Sequence, residues 1–272
     1  MFDMKEKTVV VTGGSTGIGA AFARRVASEG ARVMVVARGR TRLEALATEI
    51  SGRHGVEVLA HAEDLTKPGA GGRVLEALHA KGWKADVLVN NAGFASYGPL
   101  ETQALSVLRE EIDLNVTGLV ELTHAFLPEL IARRGGIIHV ASTAAFQPVP
   151  YMAVYGATKA FVLSFSEAVW FENRARGLRV LALCPGATET PFFDRVGAEE
   201  ASLGARATPE SVVEVGLKAF ASNRSHVVAG LGNYWAAQTA RLVTRQAAAR
   251  ITGGLMKPKP GARIAANTQR TP

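Results

Sequence analysis

Short apolar runs of strand length alternate with stretches of helical periodicity along most of this 272-residue chain. Parallel strands buried on both faces read as continuous apolar runs, and the helix after each one forms the crossover to the next. The pattern therefore predicts an α/β fold, with helices covering both sides of one seven-stranded parallel sheet. The predicted strands are Thr8–Val11, Arg32–Val36, Val56–His61, Val87–Asn90, Gly136–Ala141, Arg179–Leu183 and His226–Ala229.

The periodic stretches between these strands predict the helices that cover the sheet. They are Ile18–Glu29, Thr41–Ser51, Gly72–Lys81, Leu105–Arg134, Met152–Arg176 and Pro209–Ser222. Thr41 with Glu44 has the pattern of a capping box, so we expect the second helix to begin there. We expect Pro128 to break or kink its helix, because proline has no amide hydrogen to donate. With no repeat or linker before about residue 230, we predict one domain over residues 1–232 and an extension over residues 233–272.

The composition excludes several classes of protein. Hydrophobic residues make up 47% of the chain and charged residues 20%, which excludes a disordered or collagen-like chain. The single cysteine, Cys184, excludes an internal disulfide framework and a thiolate zinc site. The six histidines do not cluster, so we expect no metal site. The charged amino terminus does not resemble a signal peptide, and we expect a cytoplasmic protein.

The net charge of +7 arises from the carboxyl-terminal part of the chain. No Asp or Glu follows Glu214, whereas nine Lys and Arg residues do. The pattern of apolar and basic residues over 234–251 predicts an amphipathic helix, with Trp235, Leu242 and Val243 on its apolar side. This helix either contacts an anionic membrane surface or an acyl substrate, or is a solvated or subunit-packing helix before a flexible tail. Nucleic-acid binding is not expected, because the basic residues lie on a tail without a reading motif.

A glycine-rich segment follows the first predicted strand and opens the first predicted helix. Glycines permit a tight turn and close approach of a pyrophosphate, and a helix N-terminus supplies N–H donors for it. The spacing is Gly-x-x-x-Gly-x-Gly, and the Gly-Lys-Ser/Thr ending of a nucleoside triphosphate loop is missing, so ATP or GTP hydrolysis is not expected. The residues expected to bind a dinucleotide here are Gly13, Ser15, Thr16, Gly17, Ile18 and Gly19.

The end of the second strand predicts which dinucleotide binds. A carboxylate there accepts hydrogen bonds from the ribose of NAD, whereas an arginine accommodates the 2′-phosphate of NADP. Ala37 and Arg38 occupy this place, and no carboxylate appears before Glu44, so we predict NADP(H) with Arg38 as the phosphate ligand. The ends of the third and fourth strands add further expected cofactor contacts, namely Asp64, Leu65, Asn91, Ala92 and Gly93.

Four polar residues have the pattern of a catalytic group. Tyr155 and Lys159 lie four residues apart on one face of a predicted helix, Ser142 follows the fifth strand, and Asn115 lies in an earlier helix. A tyrosine with an ordinary pKa near ~10 becomes an effective acid–base group at neutral pH when a cation lowers that value. Lys159 and an oxidised nicotinamide are the two candidate cations. Ser142 is expected to hydrogen-bond and stabilise the same substrate oxygen. No Gly-x-Ser-x-Gly elbow surrounds Ser142, so a serine hydrolase is not expected.

These motifs together resemble the short-chain dehydrogenase/reductase family, in order and spacing, over residues 5 to about 232. They are Thr12 to Gly19, Asn90-Asn91-Ala92-Gly93, Asn115, Ser142, Tyr155…Lys159 and Pro185-Gly186. The resemblance implies a three-layer doubly wound Rossmann fold and a hydride transfer between NADPH and a carbonyl or secondary alcohol. It implies that Lys159 holds the nicotinamide ribose and that Asn115 supports a proton-relay water through a helix irregularity. It also implies cofactor contacts from Pro185, Gly186, Thr188 and Thr190.

Apolar residues around the catalytic group predict an apolar substrate. The expected substrate contacts are Phe94, Phe146 and Phe192, with Ser142 and Tyr155 at the reacting oxygen; Phe193 lies in the same loop as Phe192. A hydrophobic ketone, aldehyde or secondary alcohol therefore fits best. Two alternatives stay open: a 3-oxoacyl thioester reductase of fatty-acid metabolism, and a noncatalytic NADP-binding regulator. The resemblance also implies a homodimer or homotetramer formed through the two long helices.

Overall fold

The computed structural model describes residues 3–192, 196, 206–239 and 242–258. Phe193 lies outside the described residues. So does the segment from residue 259 to the carboxyl terminus, on which the prediction of a flexible tail rests.

Seven parallel strands form one sheet, in the order β3-β2-β1-β4-β5-β6-β7. Their bounds are β1 Thr8–Thr12, β2 Arg32–Ala37, β3 Val58–Ala62, β4 Val87–Asn90, β5 Gly136–Val140, β6 Arg179–Cys184 and β7 His226–Val228. The central strands β1, β4 and β5 are buried at every position, as expected for strands covered on both faces. The predicted parallel sheet is confirmed, with strand ends within two residues of those expected.

Helices cover both faces of the sheet. Their bounds are α1 Gly17–Ser28, α2 Arg40–His54, α3 Ala70–Ala80, α4 Leu105–Ile112, α5 Leu119–Ala132, α6 Ala153–Asn173, α7 Pro209–Ala221, α8 Leu231–Thr239 and α9 Arg245–Leu255. Phe22 of α1, Leu43 of α2 and Phe220 of α7 pack in one core layer. Leu78 of α3 and Phe126 of α5 pack in the layer on the other face. The three-layer doubly wound architecture is therefore confirmed.

The long helix predicted over Leu105–Arg134 is three helical segments. A π-helical turn, Asp113–Gly118, separates α4 from α5, and α5 continues through Pro128 to Ala132. The predicted break at Pro128 is wrong, because the buried side chains of α5 hold the helix against the sheet on both sides of the proline. The interruption lies instead at the π turn, which carries Asn115.

The capping box predicted at Thr41 is also wrong. The helix α2 begins at Arg40, with Gly39 in the N-cap position and no side-chain cap. Thr41 lies inside the first turn, where its backbone is already helical and cannot serve as the N-cap.

The carboxyl-terminal segment forms two helices where one helix over residues 234–251 was predicted. Residues 242–244 of the described chain lie between α8 and α9, and the predicted domain boundary at residue 232 falls inside α8. Ala237, Thr252 and Met256 are buried, and the Tyr97 hydroxyl donates a hydrogen bond of 2.8 Å to the carbonyl of Met256. Residues 231–239 and 242–258 are therefore packed onto the domain. Among the described residues, no helix has the length and apolar character needed to cross a bilayer.

Candidate active site

A cleft of about 1190 Å³ lies at the carboxyl ends of the strands, where open parallel sheets bind ligands. Twenty of the predicted site residues line it: Gly13, Ser15, Thr16, Gly17, Ile18, Arg38, Asp64, Leu65, Asn91, Ala92, Gly93, Phe94, Ser142, Tyr155, Lys159, Pro185, Gly186, Thr188, Thr190 and Phe192. Residues that lie up to 179 positions apart in the sequence thus meet in one place. Their roles toward cofactor and substrate stay predictions.

Three predicted site residues do not line the cleft. Gly19 packs behind the glycine-rich loop, where an added Cβ would lie 2.3 Å from the carbonyl oxygen of Gly13. Asn115 is buried in the π turn. Phe146 ends a short 3₁₀ turn and its ring lies 6.3 Å from that of His226, so it packs in a core cluster away from the cleft. The expected substrate contact by Phe146 stays a prediction, although Phe146 is not among the residues that line the cleft.

The loop between β1 and α1 has the shape and the charge that a pyrophosphate needs. Gly13 and Gly17 have φ values of +60° and +54°, which favour glycine. The N-cap residue Thr16 makes no side-chain cap hydrogen bond, and the first turn of α1 contains no acidic residue. Ser15, Thr16 and Ile18 line the cleft beside this helix end. The helix N-terminus is thus available to an anion, and the residues fit a dinucleotide.

Thr12 ties the glycine-rich loop to the end of β4. Its buried hydroxyl accepts hydrogen bonds from the amides of Asn91 at 3.0 Å and Ala92 at 3.1 Å. The Asn91 side chain in turn donates to the carbonyls of Thr12 at 3.0 Å and Gly13 at 3.2 Å. The sequence analysis assigned Thr12 no role of its own. The sequence signal for such a role was the position of this threonine, between a buried strand and the first glycine of the loop.

The end of β2 presents arginines to the cleft. Arg38 and Arg42 both line it, and the Arg38 guanidinium lies 3.0 Å from a carboxylate oxygen of Glu110. The Arg38 side chain is 55% exposed, and an ion pair this exposed contributes little and can be exchanged. On the neighbouring strand end, burial acts to raise the pKa of Asp64, but hydrogen bonds from Thr66 and the charge of Arg38 bring it below its ordinary value.

The catalytic side chains converge at the centre of the cleft. Tyr155 and Ser142 both line the cleft, and the Ser142 oxygen accepts the amide of Ala144 at 3.1 Å. The Lys159 ammonium donates a hydrogen bond of 2.8 Å to the carbonyl of Val140, and its nitrogen lies 5.7 Å from the centroid of the Tyr155 ring. One helix, α6, therefore presents the tyrosine and the lysine to one point, as the four-residue spacing predicted.

Asn115 acts through its side chain as a clamp behind the site. Its amide donates to the carbonyl of Phe94 at 2.9 Å and to the hydroxyl of Thr158 at 3.1 Å. Its amide oxygen accepts the backbone N–H of Phe94 at 3.1 Å. The π turn around Asn115 is the helix irregularity that the resemblance implied. The proton-relay water stays a prediction.

The polypeptide by itself raises, and does not lower, the pKa of Tyr155. The side chain borders the cleft and is only partly buried, yet lost solvation of its hydroxyl raises the pKa to about 12. The hydrogen bond with Ser142 acts against this, and the charge of Glu111 adds to it. Burial also lowers the pKa of Lys159 to about 8, with Cys184 and Glu111 acting in the opposite direction. The expected lowering by Lys159 is not found, because Lys159, with a pKa of about 8, has already lost its charge where Tyr155 loses its proton.

Glu111 is a site residue that the sequence analysis missed. It is fully buried, and one carboxylate oxygen accepts hydrogen bonds from the amide and the hydroxyl of Ser96, at 3.1 and 2.6 Å. Its negative charge raises the pKa values of both Tyr155 and Lys159. The sequence signal for Glu111 was the position of its carboxylate, four residues before Asn115 in the same predicted helix.

Apolar side chains form the end of the cleft beyond Tyr155. The ring of Phe192 lies 5.5 Å from that of Tyr155, and Val149, Met152 and Met256 pack in the same cluster. Asn233 and Thr252 also line the cleft, so α8 and α9 both contribute to its wall. No pattern in the sequence indicated the contributions of Asn233, Thr252 and Met256, because they come from a segment about a hundred residues away from Val149 and Met152.

The comparison with known proteins decides the family. The sequence matches the family model of the short chain dehydrogenases over residues 7–201. This chain belongs to the short-chain dehydrogenase family. The resemblance found in the motifs is therefore confirmed, and the protein is an oxidoreductase of that family.

Two solved structures and one curated protein show how this short-chain dehydrogenase compares with its relatives. Serine 3-dehydrogenase of Agrobacterium fabrum is 39% identical over 187 residues, which are 68% of this chain and 73% of the relative. A short-chain dehydrogenase from Sphingobium yanoikuyae in complex with NADPH is 33% identical, with a TM-score of 0.78, over 95% of this chain and 98% of the other. A 7beta-hydroxysteroid dehydrogenase is 27% identical, with a TM-score of 0.82, over 91% of this chain and 96% of the other.

The described residues contain no cluster of possible metal ligands, and the single cysteine is buried. Among the described residues, no three His, Cys, Asp or Glu side chains form a group that could hold a metal ion. Cys184 is buried at the end of β6, and burial raises the pKa of its thiol to about 12. The protonated thiol packs as a small apolar group, as expected.

Proposed function

We propose that the protein is an NADP-dependent oxidoreductase that transfers a hydride between NADPH and the carbonyl or secondary alcohol of an apolar compound. The observation that carries this proposal is that Tyr155, Ser142 and Lys159 line one cleft together with the glycine-rich loop and an apolar cluster. A proton donor in this position serves the reacting oxygen of a carbonyl.

The side chains of the cleft provide the acid–base part of the reaction. The bound nicotinamide would supply or accept the hydride. In the direction of reduction, Tyr155 donates its proton to the carbonyl oxygen, and its raised pKa keeps it protonated at neutral pH. Ser142 donates a hydrogen bond to the same oxygen and stabilises the negative charge that develops there. Lys159 orients the cofactor ribose, as in the family that the motifs resemble.

The preference for NADP rests on the end of β2. Ala37 stands where a carboxylate would repel a phosphate, and Arg38 and Arg42 line the cleft beside it. The related Sphingobium yanoikuyae enzyme was solved with NADPH. A charge-assisted hydrogen bond contributes about 1.5–3 kcal/mol, so replacing Arg38 by Ala is expected to raise KM for NADPH about 10- to 100-fold. KM for NADH is expected to change little, and an equal rise for both cofactors would contradict the assignment.

The preference for an apolar substrate rests on the wall beyond Tyr155. It is formed by Val149, Met152, Phe192 and Met256. The described residues of this apolar cluster include no charged side chain. The related 7beta-hydroxysteroid dehydrogenase is named for a bulky apolar substrate. The related serine 3-dehydrogenase is named for a small charged one, so serine belongs among the compounds to test.

The decisive experiment follows NADPH absorbance with apolar ketones, aldehydes and 3-oxoacyl thioesters, and the reverse reaction with secondary alcohols and L-serine. Turnover of apolar carbonyls is expected, with a loss of about 100- to 10,000-fold in the variant Tyr155→Phe. Turnover restricted to thioesters would favour the 3-oxoacyl reductase. Turnover restricted to serine would overturn the apolar substrate. Tight NADPH binding with no turnover of any compound would favour the noncatalytic regulator.

We also propose a cytoplasmic homodimer or homotetramer that forms through the long helices. Phe161 of α6 is 40% exposed and stacks on Phe165 at 5.7 Å, which leaves an apolar surface on this helix. Sedimentation equilibrium of the protein and of the variant Phe161→Ser tests this. A monomeric wild type, or an unchanged oligomer in the variant, would contradict the assembly through this surface.

A further inference from the structure

Exposed apolar side chains are concentrated in the carboxyl-terminal helices. Of twelve large hydrophobic side chains that are exposed in the described part of the chain, seven lie within a segment of 25 residues. They are Leu231, Tyr234, Trp235, Leu242, Val243, Ile251 and Leu255. Single exposed apolar residues are common on protein surfaces, whereas a concentration of them marks a surface that binds something.

Both helices have an inner side that packs and an outer side that stays apolar. In α8, Asn233 and Ala237 line the cleft, whereas Leu231, Tyr234 and Trp235, spaced by three and four residues, are exposed. The exposure of Trp235 is 65%. The outer apolar side chains therefore have no core of their own to bury in, although a water-facing helix normally places polar residues there.

The same is true of α9. Thr252 and Met256 are buried against the cleft, and Ile251 and Leu255, four residues apart, are 59% and 62% exposed. Leu242, between the two helices, is 85% exposed. We name the outer side of residues 231–239 and 242–258 the C-terminal surface.

The charge of this segment identifies the kind of partner. Arg245, Arg250 and Lys257 are exposed in the same segment as these apolar side chains. No acidic residue follows Glu214 in the sequence, so nothing in the segment neutralises these cations. A helical surface that combines large apolar side chains with basic residues is suited to the interface of an anionic membrane.

The charge also argues against a second copy of the chain as the partner. A symmetric dimer places the same patch on both subunits, so pairing through the C-terminal surface would bring like charges together. Such a juxtaposition of uncompensated cations is unfavourable.

We propose that the C-terminal surface docks the protein on a membrane that contains anionic lipids. The outer apolar side chains of α8 and α9 enter the interface, and the basic side chains bind lipid headgroups. Because the inner sides of the same helices form the wall of the cleft, docking places this wall at the lipid surface. This proposal concerns binding and stands whether or not the proposed reaction is correct.

Co-sedimentation of the full-length protein with phosphatidylserine-containing vesicles tests the proposal, with pure phosphatidylcholine vesicles as comparison. Binding to the anionic vesicles is expected to weaken as salt is added, because screening reduces the attraction of surface charges. The combined variant Leu231→Ser, Trp235→Ser and Leu242→Ser is expected to lose on the order of 100-fold in affinity, from about 1 kcal/mol for each apolar side chain.

A matched variant separates this surface from general surface hydrophobicity. Leu100→Ser, Leu105→Ser and Phe171→Ser also replace three exposed apolar side chains, but outside the C-terminal surface. This variant is expected to bind vesicles as the wild type does. Equal losses in both variants would overturn the proposal. A thermal midpoint measured for each variant shows that it is folded before its binding is compared.

Tryptophan fluorescence supplies a second readout that does not depend on pelleting. Anionic vesicles are expected to shift the emission of the wild type to the blue as Trp235 leaves water. In Trp235→Phe the shift is expected to vanish while sedimentation persists, because Trp83 and Trp170 pack in a core cluster and the substituted side chain is still apolar. No sedimentation of the wild type with anionic vesicles would overturn the proposal. A wild-type dimer that the serine variant dissociates, without vesicle binding, would show a subunit interface instead.

Discussion

Replacing Thr12 by Val tests whether one hydroxyl holds the cofactor loop in place. The two side chains have nearly the same shape, and Thr12 is 1% exposed, so the change removes the hydroxyl with little change in packing. The hydroxyl accepts hydrogen bonds from the amides of Asn91 and Ala92 and donates one of 3.4 Å to the carbonyl of Val89. The variant leaves two backbone donors without this acceptor.

The expected loss of stability follows from these contacts. A buried donor that loses its partner costs about 1–3 kcal/mol. The added methyl group of valine returns about 0.8 kcal/mol. With two donors affected, the free energy of unfolding is therefore expected to fall by about 1–5 kcal/mol, which corresponds to a Tm lower by roughly 2–20 °C in a domain of this size.

Urea unfolding followed by circular dichroism measures the free energy, and Thr12→Ser is the matched control because it keeps the hydroxyl. NADPH affinity, measured by titration, is also expected to fall in Thr12→Val, because Asn91 and Ala92 line the cleft. If Thr12→Val is as stable as Thr12→Ser and binds NADPH equally well, the reasoning is refuted.

Two further predictions concern pH. In Glu111→Gln, the pKa values of Tyr155 and Lys159 are expected to fall, because the lost charge had raised both. Reduction needs protonated Tyr155, so the basic limb of the pH profile of kcat/KM is expected to move to lower pH. The control is Glu101→Gln, at an exposed position. A shift of this limb to higher pH would contradict the prediction. His139 is buried, and burial lowers its pKa to about 3. Between pH 6.5 and 3, its imidazole is therefore protonated in the unfolded chain but neutral in the folded protein. Stability is expected to fall by about 1.4 kcal/mol per pH unit from pH 6.5 toward 3 through this group, and His139→Gln should flatten that slope in urea unfolding.

The control for the His139 prediction is a partly exposed histidine outside the core. His54 lies at the end of α2, outside the core, so His54→Gln is expected to leave the slope unchanged. Parallel pH profiles of the wild type and His139→Gln would show that the buried imidazole does not set this part of the acid sensitivity.

Most of the fold was predictable because its signals are local. Val9, Val10 and Val11 form a buried apolar run that only a covered strand accommodates, and the glycines after it permit one kind of turn. The spacing of Tyr155 and Lys159 likewise predicts a shared helix face, because helical geometry is the same in every protein. The π turn at Asn115 could not be read from periodicity, since it depends on the contacts of that residue with Phe94 and Thr158.

The sequence by itself determined the order of strands and helices, the glycine-rich loop and the candidate catalytic side chains, since local geometry and residue chemistry suffice for these. Tertiary structure alone decided that Phe146 faces His226, that Glu111 is fully buried, and that residues 231–239 and 242–258 pack against the domain. It also decided that the pKa of Tyr155 is raised and not lowered. Burial and contacts between distant segments arise only when the chain is folded, so no local pattern of residues records them.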